Sequence, residues 1–169
     1  MNTLKIARSF ILPVIYFVVV PAIIHYRFEM LLFQNLFSTI LGSLFILTGI
    51  GFIAWTNVLF VSFADGTMLQ LDAPKKMVVL GPFRYVRNPI AIAMVTILWG
   101  EAMLFGSLFI FGWSIVYFIL INAYILYKEE PELAQKFGEA YLRYKQLVPR
   151  WIPLDKAVEF DPETEKRSR

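Results

Sequence analysis

"LFSTILGSLFILTGIGFIAWTNVLFVSF", residues 36–63, contains no charged residue from end to end. A helix needs about 20 apolar residues to cross the hydrocarbon core of a bilayer, so this run is long enough to cross with tilt or to protrude. The rest of the chain points the same way: of its 169 residues 58% are hydrophobic and 17% charged, and the mean hydropathy is +0.61. A soluble domain of this size could not hide so much apolar surface. The fold class expected is all-α and integral to a membrane. Gly42, Gly49 and Gly51 are expected to let a neighbouring helix approach closely. The "GIG" at 49–51 is no nucleotide fingerprint, because no strand precedes it.

Working outward, a first span is expected from about Ser9 to Ile24, with Pro13 and Pro21 inside it and Lys5 and Arg8 before it. No small-x-small cleavage site follows, so it reads as a retained anchor. From Pro89 to Tyr127 the chain is again apolar, with a single charge at Glu101. That length suits a hairpin turning near "GEAMLFGS", where Gly100, Gly106 and Ser107 supply turn chemistry. About four transmembrane helices result, the last two forming the hairpin. Placing both termini in the cytosol puts every lysine and arginine inside except Arg27, as the positive-inside rule requires. Glu101 and His25 then fall at the outer interface, and no chemistry is expected of them. Cysteine is absent and histidine occurs once, which excludes disulfides, thiolate nucleophiles and multi-histidine metal sites. No metal and no nucleic-acid partner are expected.

Two polar segments face the cytosol in this arrangement. The first ends in "GPFRYVRNP", residues 81–89. Asn88 followed by Pro89 is a helix-start signal, and the free N–H groups of such a start attract a carboxylate or phosphate. Arg84 and Arg87 fit two readings, as anchors to anionic headgroups or as part of a ligand site. The second segment carries Leu133, Phe137, Tyr141, Tyr144 and Val148 at helical spacing, an amphipathic C-terminal helix that either lies in the interface or closes over the first segment. Glu129 extends the stripe toward the membrane, and Asn122 stands seven residues before it on the same face if the helix is unbroken; Pro131 could instead restart it. Adjacent carboxylates at Glu129 and Glu130 are costly where a span meets the interface unless hydrated or paired. A helix start, the cations Lys75, Lys76, Arg84 and Arg87, and a carboxylate pair suit a mixed-charge ligand.

These residues are also familiar as a set. "GPFRYVRNP", an apolar hairpin, and "EEPELAQKFGEAYLRYKQLVPRWIP" resemble the isoprenylcysteine carboxyl methyltransferase and phospholipid methyltransferase superfamily of integral-membrane enzymes, over roughly residues 65–153. The resemblance implies S-adenosylmethionine as methyl donor. It implies cofactor contacts at Lys75, Lys76, Met77, Val78, Phe83, Asn88, Pro89 and Glu129, and the charge pattern agrees, with the cofactor's carboxylate expected at the helix start near Arg87. It also implies a lipophilic or lipid-anchored acceptor reached from the bilayer, with membrane lipids around it. Should the acceptor be an amine, the nearest bases are Glu130 and Tyr141. Two positions depart from the pattern: Ile90-Ala91 replaces an x-Tyr pair, and Ile125 stands where isoprenylcysteine enzymes carry an arginine four residues before the first Glu. A non-enzymatic membrane binding or assembly protein on the same scaffold is the rival expectation. Residues 1–155 form a single expected domain, and 156–169 a polar mobile tail.

Overall fold

The computed structural model describes residues 11, 13–28, 34–63, 77 and 79–160. Helix α1 is π-helical over Ile15–Val19 and α-helical over Val20–Phe28. It is followed by α2 (Leu36–Phe63), α3 (Pro89–Leu104), α4 (Leu108–Tyr124), α5 (Glu130–Phe137) and α6 (Glu139–Leu147). The fold is all-helical, and no strand forms among the described residues. Two helical stretches, Leu36–Leu59 and Leu108–Phe137, are long and apolar enough to cross a membrane, and Ile15–Phe28 and Pro89–Leu104 are shorter apolar helices.

Helix α2 lies wholly within the uncharged run. Its start is capped from just upstream: Asn35 Oδ1 accepts from the Ser38 N–H at 2.9 Å, and Ser38 Oγ accepts from the Asn35 N–H at 3.0 Å. The main packing surface of the bundle is α2 against α3. A Cβ built on Gly42 would stand 2.6 Å from the Gly100 carbonyl oxygen, and one on Gly100 would stand 2.7 Å from that of Gly42. The two backbones therefore touch, as small residues at membrane helix crossings permit. Gly49 faces Ala93 and Ile97 along the same seam. Gly51 does not share it: a Cβ there meets nothing within 4 Å. It lies two residues, about 200°, round the helix from Gly49.

The hairpin turns at Phe105–Ser107. Gly106 takes φ +59°, and the Ser107 hydroxyl caps α4 by accepting from the Ile110 N–H at 3.3 Å. Helix α1 lies against α4, with the Trp113 indole donating to the Tyr16 carbonyl at 3.1 Å and Tyr117 edge-on to Phe17.

Pro131 does not restart the helix. The turn Ile125–Glu129 widens to a π turn, whose next amide, that of Glu130, bonds back to the Ile125 carbonyl. A proline obstructs the carbonyl four residues earlier, and a bond reaching five residues back leaves that carbonyl out of the ladder. Pro21 in α1 is accommodated in the same way, by the π turn Ile15–Val19. The helical stretch Leu108–Phe137 has 30 residues; at about 1.5 Å per residue it is longer than a hydrocarbon core. Its charged end, from Lys128 onward, projects beyond the span.

Past Phe137 the expected single amphipathic helix is divided. Gly138, at φ +59°, ends α5 and starts α6, yet the apolar stripe runs on through the break. Phe137, Tyr141, Tyr144 and Val148 form one buried cluster with Val79, against which Met77, Leu133, Val158 and Phe160 also pack. The stripe closes over the first polar segment.

Candidate functional site

The polar end of the bundle is built from the segment before α3, the α4–α5 junction, and the stretch after α6. Gly81, at φ +54°, opens a 3-10 turn over Gly81–Arg84, and a Cβ there would stand 2.7 Å from Leu59 Cδ1 of α2. Backbone bonds then stitch this segment to the C-terminal stretch. The Arg87 amide donates to the Pro149 carbonyl at 2.9 Å, the Leu154 amide to that of Tyr85 at 3.0 Å, and the Val158 amide to that of Arg84 at 3.0 Å. The Tyr144 hydroxyl donates to the Phe83 carbonyl at 2.8 Å.

At the centre is Glu130, whose side chain is 4% exposed. Its Oε1 accepts from Arg87 Nη1 at 2.8 Å and from Arg150 Nε at 2.7 Å. Its Oε2 accepts from Arg150 Nη2 at 3.0 Å and pairs with Lys145 Nζ at 2.8 Å. Burial by itself would raise this carboxyl, but the hydrogen bonds from Arg150 and Lys145 and the charge of Arg87 outweigh it and hold the group below the ordinary carboxylate range. Three cations on one carboxylate leave an excess of positive charge, which favours an anionic ligand group. Arg87 Nε is also buried, with no hydrogen-bond partner among the described residues.

Glu129 is treated differently. It is half-buried. Burial first, then the charges of Glu130 and Glu132, push its carboxyl above the ordinary range. Such a group gains from a cationic partner. Arg87 touches Glu130, so Asn88 and Glu129, each adjacent in sequence to one of that pair, lie at the same end of the bundle.

The other expected contacts divide. Asn88 occupies the N-cap position, but its side chain makes no capping bond; its Nδ2 donates to the Arg150 carbonyl at 3.2 Å. Phe83 and Pro89 are buried in packing. Met77 is partly buried against the aromatic cluster. Arg84 is committed to the C-terminal stretch through a 2.8 Å bond from its Nε to the Val158 carbonyl. Lys75, Lys76 and Val78 lie outside the described residues. Tyr141 is buried, and its hydroxyl is pushed up to about 12 by burial and the Glu130 charge, with Arg87 opposing only in part. It is protonated at neutral pH and makes a poor base. Glu130 is ionised there but has both oxygens engaged.

Two features have no clear signal in the sequence. Arg150 binds both oxygens of Glu130, and its only mark is its place directly after Val148-Pro149. Residues 154–160, assigned in part to a polar tail, are held against Arg84, Tyr85 and Tyr144.

A match to known proteins covers this architecture. A family model described as phospholipid methyltransferase aligns with residues 37–140, from the start of α2 into α6. The chain belongs to the phospholipid methyltransferase family. That family lies in the isoprenylcysteine and phospholipid methyltransferase superfamily, as the paired motif implied, and is membrane-associated. An uncharacterized protein of Haemophilus influenzae is 45% identical over 38 residues, which make up 22% of this chain and 60% of that protein. The chain thus matches about three-fifths of the length of this curated relative. No solved structure matches.

Proposed function

We propose that the chain transfers a methyl group from S-adenosylmethionine to a lipid-soluble acceptor at the polar end, and that this end faces the cytosol. The Arg87–Glu130 contact carries the reading, because it joins the start of α3 to the acidic start of α5. Two groups there fit the amino-acid end of the donor. The unpartnered Arg87 Nε suits a carboxylate, and Glu129, raised by burial, suits an ammonium or a ribose hydroxyl. Lys75, Lys76 and Val78 are proposed to complete the enclosure.

When bound, S-adenosylmethionine supplies a methyl group already activated by its sulfonium. The chain's own residues then need only bind, align and exclude water. Glu130 holds Arg87, Lys145 and Arg150 in fixed positions, and the aromatic cluster beneath keeps the site dry from below. The acceptor enters laterally from the bilayer. At the position where isoprenylcysteine enzymes carry arginine, Ile125 is 2% exposed inside the π turn, so nothing there would hold an acceptor carboxylate. An acceptor without that group is favoured.

Glu129→Gln should weaken binding of S-adenosylhomocysteine by about tenfold, as loss of a charge-assisted bond implies, at an unchanged melting temperature. Calorimetry in detergent reads this, and an unchanged dissociation constant removes Glu129 from the site. Incubation with radiolabelled donor and lipid extract then reads the acceptor class. A non-enzymatic binding protein is the second reading, favoured by buried Ala91 where the family carries a tyrosine hydroxyl; donor binding without label transfer selects it.

A further inference from the structure

The far end of the hairpin holds a second, half-buried carboxylate. Glu101 stands three residues before the end of α3, and its Oε2 is buried with no hydrogen-bond partner among the described residues. Beside it lies a cavity of about 530 Å³ between α1 and α3, lined by Phe17, Pro21, His25, Tyr26, Glu101 and Phe105 among others. That volume is within the range of small-molecule sites. Its wall follows from the chain: the π turn Ile15–Val19 and Pro21 shape α1 here, and the His25 ring packs against Phe105 with centroids 4.9 Å apart.

Among the described residues, neither lysine nor arginine lines the cavity, whereas Glu101 and several aromatic residues do. An unpartnered carboxylate oxygen in apolar surroundings calls for a hydrogen-bond donor, most strongly a cationic one. Ring faces attract the same kind of group. The remaining wall is apolar, and Val18, also lining the cavity, is 58% exposed on the flank of α1. A hydrocarbon chain can leave the cavity there.

The geometry points to a binding site for the ammonium head of a membrane-soluble amine, with the head on Glu101 among the rings of Phe17, Tyr26 and Phe105 and the chain running out along α1. The site is separate from the polar end and does not depend on methyl transfer. A single-chain alkylamine and an aminophospholipid both supply this chemistry.

The test uses the full chain in phosphatidylcholine nanodiscs with a diazirine-bearing alkylamine, and the matching alcohol as its neutral twin. After irradiation, peptide mapping locates the label. The amine is expected on residues 13–28 and around Glu101, with labelling lost on adding excess dodecylamine. Glu101→Gln should cut that labelling about tenfold. Ala22 also lines the cavity, and Ala22→Trp, which fills it, should do the same and carries the test if Glu101→Gln fails to fold. Replacing part of the phosphatidylcholine with phosphatidylethanolamine then names the source: displacement of the probe assigns a phospholipid head, and no displacement a single-chain amine. Equal labelling by amine and alcohol, or wild-type labelling in both variants, overturns the proposal.

Discussion

Glu130, where α4 passes into α5, is buried, and Glu101, near the end of α3, is half-buried with one shielded oxygen, and their surroundings differ. Glu130 is enclosed by Arg87, Lys145 and Arg150. Glu101 keeps a buried oxygen without a partner among the described residues and borders a cavity. The difference is one of purpose. At the polar end the carboxylate is internal structure, a counter-ion that holds cations converging from three parts of the chain. At the hairpin end that oxygen has no partner among the described residues, and an outside cation is the complement proposed for it.

Removing each carboxylate tests that contrast. Glu130→Ala leaves three cations facing one another without their counter-charge, and breaking a buried pair costs about 3–5 kcal/mol. Thermal melting in detergent should show a larger loss for this substitution than for any change at Glu129 or Glu101. Acid should act on the same group more gradually. Its folded-state carboxyl is held low, so the stability it contributes is present above the ordinary value of 4.5 and is lost as pH falls below it. The melting temperature should therefore decline on acidification in the wild type and stay flatter in Glu130→Gln. Glu101→Gln should shift stability by no more than about 0.5 kcal/mol, because its buried Oε2 has no bond to lose among the described residues. A loss as large as that of Glu130→Ala would erase the distinction between the two ends.

Much of the fold is legible in the chain, for reasons that vary by region. The start of helix α2 can be read to the residue because an uncharged run bounded by polar flanks has one stable answer in lipid. The hairpin turn follows from Gly106 and Ser107. The stripe from Phe137 to Val148 is visible as spacing, and it survives the break at Gly138 because the left-handed glycine redirects the chain without reversing its buried face. Less legible is which of two adjacent glutamates meets Arg87. In a regular helix Asn122 shares a face with Glu129. The π turn admits about one extra residue, and the position passes to Glu130. The neighbours agree, since Trp151 donates to Asn122 at 3.0 Å while Arg150 binds Glu130. Gly51 departs from expectation because closeness to Gly49 in sequence says nothing of shared direction on a helix. Arg150 and residues 154–160 carry no local signal because a return crossing depends on where distant backbone groups need partners, and local pattern does not encode that.

The seam between the early and late polar segments has a bearing on biogenesis. Arg84 waits for Val158, a separation of 74 residues, and Asn88 for Arg150, a separation of 62. A ribosome delivers the two halves in order, with both arms of the hairpin between them. The charged cluster is therefore completed only after helices α1 to α4 have been made. A nascent chain carries the helical scaffold well before it carries this cluster.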